Sequence, residues 1–266
     1  MSLVSVDQRD GVTVVTVDHP PANAMNLELL DELVATARRL ESSPPAAVVL
    51  SGRDGFFCAG VDLKAVPDYG AAEQRRLVEG INTMALAFYG LPCPLVCAIT
   101  GHAIAGGFVL ALCGDHRVAS NAGRYGLTEV KVSVPYPQAA IGVVRAELTP
   151  QASRLLVLGN RLVEAADCVA MGAFDEAVAP GEVGGRALSV ARELGELPGD
   201  EYARAKGELR KPTLTTLRAA VQKDPLLEGW GEDEQEPGQG QPPQAQPQQA
   251  QESQQPQQAG GGTPAQ

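Results

Sequence analysis

The sequence predicts an α/β fold with parallel strand pairing, and three features predict it. Two short, wholly apolar runs, residues 46–50 (AAVVL) and 95–99 (LVCAI), have the pattern of strands buried on both faces. Around them lie longer stretches whose apolar residues step by three or four, so strands alternate with helices. The second run delivers the chain into a glycine-rich turn that opens onto an apolar helix, the place where open α/β sheets bind ligands.

Taken in order, residues 12–17 (VTVVTV) are rich in β-branched side chains and end at Asp18-His19-Pro20-Pro21, a strand closed by a proline turn. The loop ANAMN follows. Asn26 then caps a helix on which Leu27, Leu30, Val34, Ala37 and Leu40 share a face, with Pro44-Pro45 beyond its end. Beyond residues 46–50 comes a tight Ala-Gly turn, FCAGVDLK (57–64). A helix over 71–88 carries Leu77, Ile81, Met84 and Phe88, and Leu91-Pro92-Cys93-Pro94 ends it. Residues 101–107 (GHAIAGG) read as a turn and 108–113 as the helix it opens. Residues 116–119 read as a strand and 125–132 (YGLTEVKV) as a turn or edge segment. Helical patterns cover 138–145, 150–158 and 164–170, and 174–178 reads as a late strand. Residues 184–196 and 201–227 are helical again, with a break at Lys211-Pro212, and look more like a lid or oligomer arm than core. No internal repeat is visible.

The 266 residues suffice for one sizeable core with an appendage. The domain division expected is a catalytic core over 1–195, a helical lid or oligomerisation region over 196–230, and a tail over 231–266. From residue 235 that tail is almost entirely Gln, Pro, Ala and Gly, too poor in apolar surface to offset the entropy of ordering, and it reads as disordered. The formal net charge of −11, with no Lys/Arg cluster interleaved with aromatics, argues against a nucleic-acid partner. No apolar stretch is long enough to span a membrane and the start lacks a secretory pattern, so a cytoplasmic protein is expected. The five cysteines form no CxxC pair and fit a reduced compartment. His19, His102 and His116 share no metal-ligand spacing, and no metal is expected. The GxSxG, GxGxxG and GxxxxGK[ST] motifs are absent.

Chemistry concentrates in the two glycine turns. A helix start presents unpaired N–H groups and the positive end of a dipole, suited to a developing negative charge, and an Ala-Gly turn can aim a backbone N–H at a ligand with no side chain in the way. Two such turns could share one oxygen. Taken alone, AGG before an apolar run serves helix–strand packing, and Glu129 beside Lys131 reads as a surface pair.

The stretches FCAGVDLK and AITGHAIAGGFVLALCGDHRVAS resemble the two signature segments of the crotonase superfamily, the enoyl-CoA hydratases and isomerases. The ANAMN loop resembles that family's substrate-side turn, and the resemblance spans residues 12–227. It implies a crotonase-like spiral of repeated ββα units with a C-terminal helical region. It also implies an acyl-CoA thioester substrate, coenzyme A entering as part of that substrate with no separate cofactor, and a homotrimer or a hexamer of paired trimers. Carried over by position, the thioester oxygen would be bound by the N–H groups of Val61 and Gly106. Ala22, Asn23 and Ala24 would contact the substrate from the ANAMN loop. Ala59, Gly60, Val61, Asp62 and Leu63 would line the CoA moiety, with Lys64 near phosphate.

The family's hydratases resemble one another in using two glutamates to hold and split a water. The first would fall at Val109, where no acid stands; the second matches Glu129 of GLTE. GLTE, with an apolar residue at position 109, is similar to the Δ3,Δ2-enoyl-CoA isomerases, which implies a double-bond shift with Glu129 as the single proton carrier. The alternatives are a hydratase or another crotonase-type hydrolase or lyase, and, from another class, a non-catalytic crotonase-like protein acting through its tail. Asp62 reads as a turn cap, while Tyr125 and Tyr136 could shape an acyl pocket but read first as packing residues. Arg204, Lys206, Arg210 and Lys211 could reach CoA phosphates but read first as solvated helix charge.

Overall fold

The computed structural model describes residues 2–229; the Gln/Pro-rich tail over 231–266 lies outside them. Among the described residues the chain builds two sheets. The larger begins with an antiparallel hairpin, β1 (Val4–Arg9) and β2 (Val12–Val17), turned at Asp10-Gly11, both with positive φ. Beside β2 stand β3 (Val48–Ser51), β5 (Leu95–Ile99), β7 (His116–Ser120) and β9 (Glu176–Val178), all parallel, giving the order β1-β2-β3-β5-β7-β9. The smaller sheet is the parallel trio β4 (Gly55–Cys58), β6 (Gly101–Ile104) and β8 (Tyr125–Gly126).

The chain alternates between the sheets. β3 and β4 lead into α2 (Ala71–Tyr89), β5 and β6 into α3 (Gly106–Leu112), and β7 and β8, after one 3-10 turn, into α4 (Gln138–Glu147). These are the repeated ββα units expected. Residues 101–104, read above as part of a turn, are strand, because β6 finds partners on both sides in β4 and β8. The repeat escapes the eye because its second strands hold only four, four and two residues.

The large sheet is covered on both faces, as its apolar strands require. Toward one face Val15, Val48, Leu50, Leu95, Cys97 and Ile99 join a core with α1 (Leu27–Ser42) and α2. Toward the other, Val14, Val49, Val96 and Val118 pack with Val183, Ala187 and Val190 of α7 (Val183–Gly195), which follows the short helices α5 (Pro150–Ser153) and α6 (Ala165–Ala170). That helix is therefore core, and not part of a lid. Asn26 caps α1 as expected, its Oδ1 accepting from Leu29 N at 2.8 Å. All five cysteines are buried and unpaired, and burial pushes the thiols of Cys58, Cys97 and Cys168 up to about 12. Among the described residues no helix is long and apolar enough to cross a membrane.

The last long helix, α8 (Gly199–Lys223), corrects two expectations. It runs through Pro212 without a break. A helical proline forfeits one hydrogen bond and costs about 3 kcal/mol. Here buried anchors hold both sides of it: Lys206 and Arg210 before, Leu214 and Leu217 after. Lys206 and Arg210 are also neither solvated nor directed at a ligand phosphate. Lys206 Nζ donates to Asp115 Oδ2 at 2.7 Å and Cys93 O at 3.0 Å, while Arg210 reaches Asp115 Oδ1 at 3.0 Å and lies 4.0 Å over the Tyr89 ring. Arg204 and Lys211 do remain on the surface, each beside a glutamate three residues away.

Asp115, at the end of the turn after α3, thus fastens α8 to the core. Replacing it by Ala strands buried Lys206 and leaves buried Arg210 with Glu147 at 3.9 Å, a change that costs about 3–5 kcal/mol. Urea unfolding of Asp115→Ala is expected to show a lower midpoint at unchanged slope; an unshifted midpoint would contradict this role.

Candidate active site

The two glycine turns of the sequence meet at the head of the small sheet. After β4, Met25 N donates to Gly60 O at 2.7 Å and Asp62 N donates to Met25 O at 2.9 Å. In this parallel bridge Met25 spends both of its backbone groups on the neighbours of Val61, so the Val61 N–H points away from Met25. On the other side, Ala105 joins β6 to α3 with φ 53° and ψ −126°, and its N–H donates to Gly126 O at 2.8 Å. An alanine there stores about 1–3 kcal/mol of backbone strain. That strained residue sets the direction of the next amide, Gly106 N–H, which as the first of a helix has no intrahelical acceptor. Among the described residues neither the Val61 nor the Gly106 N–H has an acceptor.

The glycines divide the work. A Cβ on Gly107 would lie 2.1 Å from Cys58 O, so this position lets α3 pack on β4. Gly60, with φ +81°, sits against the facing turn: a Cβ there would lie 2.8 Å from Ala105 Cβ and 3.1 Å from Gly106 N. Gly106 itself has room for a Cβ, its nearest neighbour being Met25 Sδ at 3.4 Å, so what matters there is the amide.

Val61, Gly106 and Glu129 line one cavity of about 350 Å³. Leu77, Val78 and Ile81 of α2 form one wall, and the segment from Thr128 to Pro137 forms another. Among the described residues Glu129 is the only ionisable side chain lining it. It is 6% exposed, so it is not the surface glutamate that its neighbour Lys131 suggests. A 3-10 turn, Glu129–Val132, followed by Ser133 with φ 55°, folds the chain back, and Tyr136 Oη donates to Glu129 Oε2 at 2.8 Å. Burial raises the Glu129 pKa above the ordinary 4.5 of a glutamate, the Tyr136 hydrogen bond opposing that rise. Tyr136 is therefore more than a packing residue. The signal for it in the sequence is slight: one tyrosine between two prolines, seven residues past the acid. Tyr125 does pack, edge-on to Phe174 with centroids 5.0 Å apart.

Val109 is buried in the core at 1% exposure, with no acid in its place. Of the residues expected along the ligand, Ala59, Val61, Leu63 and Gly106 line the cavity and Gly60 lies against Gly106, whereas Ala22, Asn23, Ala24, Asp62 and Lys64 do not line it. The Asn23 side chain turns inward. Fully buried, it accepts from His19 N at 2.7 Å and donates to Val17 O and Phe57 O at 3.0 Å each, so its amide is consumed in tying the loop to β4. Ala22 O accepts from Ala59 N at 3.1 Å, which fixes the loop beside the first glycine turn. Asp62 Oδ1 accepts from Lys64 N at 2.9 Å, the cap expected, and Lys64 is exposed. Among the described residues no group of three or more His, Cys, Asp or Glu could hold a metal ion.

Two unpaired amides beside a lone buried carboxylate can stabilise an oxyanion and move a proton next to it. The sequence matches the enoyl-CoA hydratase/isomerase family model over residues 7–230. It is 32% identical to "Probable enoyl-CoA hydratase echA17" of Mycobacterium avium over 207 residues, 77% of this chain and 80% of that protein. The fold superposes on a probable enoyl-CoA hydratase EchA3 of Mycobacterium tuberculosis with a TM-score of 0.78 at 30% identity, covering 82% of this chain and 93% of that one. It also superposes on human mitochondrial Δ3-Δ2-enoyl-CoA isomerase with a TM-score of 0.78 at 28% identity, covering 87% and 93%.

Proposed function

The chain belongs to the enoyl-CoA hydratase/isomerase family, and within it we propose that this protein shifts the double bond of an enoyl-CoA from C3 to C2. The thioester oxygen accepts from the Val61 and Gly106 N–H groups. Glu129, ionised, takes a proton from C2, and the electron pair moves into the dienolate whose oxygen the two amides hold. The proton returns from Glu129 to C4, the double bond settles between C2 and C3, and the carboxylate is restored. Coenzyme A enters and leaves as part of the substrate, and no other cofactor takes part.

One observation carries this reading: among the described residues Glu129 is the only ionisable side chain on the cavity, while position 109 is a buried valine. Adding water needs a base for the water and an acid for the α-carbon at once. Moving one proton between two carbons of the same face needs a single group. Purified protein given a 3-enoyl-CoA is expected to generate the conjugated 2-enoyl chromophore. Hydration is the second reading, favoured by the name of the Mycobacterium avium relative echA17. It predicts the reverse, loss of the chromophore from a 2-enoyl-CoA.

The acid limb of the pH profile tests the base. Proton removal requires ionised Glu129, and burial holds its pKa above 4.5, so kcat/KM is expected to fall on acidification with its inflection above that value. Tyr136→Phe removes the hydrogen bond that lowers this pKa. The limb is then expected to move to higher pH, with kcat reduced more than acyl-CoA affinity. A limb that stays in place would exclude Tyr136 as the residue positioning Glu129.

A further inference from the structure

One wall of the cavity comes from the far end of the described chain. Leu226, on the short helix α9 (Pro225–Gly229), lines it and is half-buried. What holds Leu226 there is Asp224, which is fully buried and lies between α8 and α9. Its Oδ2 accepts from Asn82 Nδ2 on α2 at 2.8 Å and from Gln138 N, at the start of α4, at 2.7 Å; its Oδ1 accepts from Leu226 N at 3.0 Å. Asn82, also fully buried, accepts from Ala139 N at 2.9 Å through its own Oδ1. One carboxylate and one amide thus satisfy two of the orphan N–H groups that open α4, and together they clamp the chain's last described turn onto α2 and α4.

This clamp fixes where along the cavity wall Leu226 stands. Asn82 directly follows Ile81, and Gln138 directly follows Pro137, and both Ile81 and Pro137 line the cavity. The α2 wall runs from Gln74 to Ile81, about 10 Å along the helix axis. Asp224 thus anchors Leu226 beside the residue after Ile81 on α2 and the residue after Pro137 at the start of α4, which places it toward the Ile81 end of that wall. The volume of about 350 Å³ lies at the small end of the range of about 300–1,000 Å³ for ligand pockets.

We propose that Leu226 is the chain-length stop of the acyl pocket and Asp224 its positioning residue, so that short and medium acyl chains are taken and long ones are blocked. The proposal rests on the acyl-CoA reading of the site given above. It is tested by titrating the full chain with butanoyl-, octanoyl- and dodecanoyl-CoA in a calorimeter, a binding readout that does not depend on which reaction follows. Wild type is expected to gain affinity from butanoyl to octanoyl and lose it at dodecanoyl. Leu226→Ala is expected to raise the dodecanoyl-to-octanoyl affinity ratio about tenfold or more, the scale of discrimination that a few methylenes give in an apolar pocket. Asp224→Asn, which turns an amide N–H toward donors, is expected to raise the same ratio with Leu226 still present; a purely structural role would lower thermal stability and leave the ratio alone. A ratio unchanged by Leu226→Ala in a protein that binds acyl-CoA overturns this inference by itself. Failure of wild type to bind any of the three overturns the acyl-CoA reading, and the inference with it.

Discussion

Glu129→Gln is expected to lower kcat for 3-enoyl-CoA isomerisation by about 100- to 10,000-fold, the span that a positioned acid–base group contributes. Glutamine keeps the shape, and its amide oxygen can still accept from Tyr136 Oη, whose bond to Glu129 Oε2 is 2.8 Å. What it loses is the ability to carry a proton between C2 and C4. Acyl-CoA affinity is expected to survive, because the two amides and the apolar walls are untouched. Stability should not fall with activity. Burial raises the Glu129 pKa, so the protonated form is favoured in the folded state, and this contribution to stability is lost as pH rises through the folded value, above 4.5. At neutral pH a neutral glutamine therefore folds at least as well as an ionised glutamate. Chemical denaturation at neutral and acidic pH checks this: a variant both inactive and markedly destabilised at neutral pH would make Glu129 a structural residue.

The second large effect is expected at Gly60. Alanine there must adopt φ +81° and bring its Cβ to 2.8 Å from Ala105 Cβ and 2.9 Å from Ile104 O, both backbone-linked atoms that cannot swing away. The two turns must part, and the shared hold on one oxygen proposed for the Val61 and Gly106 N–H groups is lost. Losing one donor to a developing oxyanion costs about 100- to 1,000-fold in kcat, and Gly60→Ala is expected to fall in that range. Gly184→Ala on α7, where an added Cβ meets nothing within 4 Å, is the control and should be silent. Equal kcat in the two variants would remove the amide pair from the chemistry.

Much of the fold was legible because its central strands are buried on both faces. AAVVL and LVCAI can be little else than interior strands, and the Asn26 cap and the proline stops mark the helices between them. The missed elements are those whose burial comes from elsewhere. β1 buries only Val4 and leaves its other residues exposed, so it carries little apolar signal. β4, β6 and β8 are short, begin or end in glycine, and become strands only through one another. Pro212 stays helical because distant residues hold the turns on either side of it.

The site divides in the same way. The glycine turns were visible as turns, and their resemblance to a known family paired them; spacing alone does not bring residues 61 and 106 together. The strain at Ala105 has no signature in its side chain. Lys206 and Arg210 look like any charged helix face, since their buried partner Asp115 lies about ninety residues away in the chain. Asn23 sits inside a ligand-like loop, yet its hydrogen bonds run inward to β2 and β4. Glu129 looked like a surface residue until the backbone turn at Ser133 and the hydroxyl of Tyr136 enclosed it.

The claim at the centre is that one buried carboxylate carries a proton across one face of an enoyl-CoA whose oxygen two main-chain amides hold. The most direct measurement supplies the protein with a 3-enoyl-CoA deuterated at C2, in ordinary water, and follows the label by mass spectrometry and NMR. The account predicts a 2-enoyl product carrying deuterium at C4. A 3-hydroxyacyl product, or a 2-enoyl product whose C4 gains only solvent hydrogen, would contradict it.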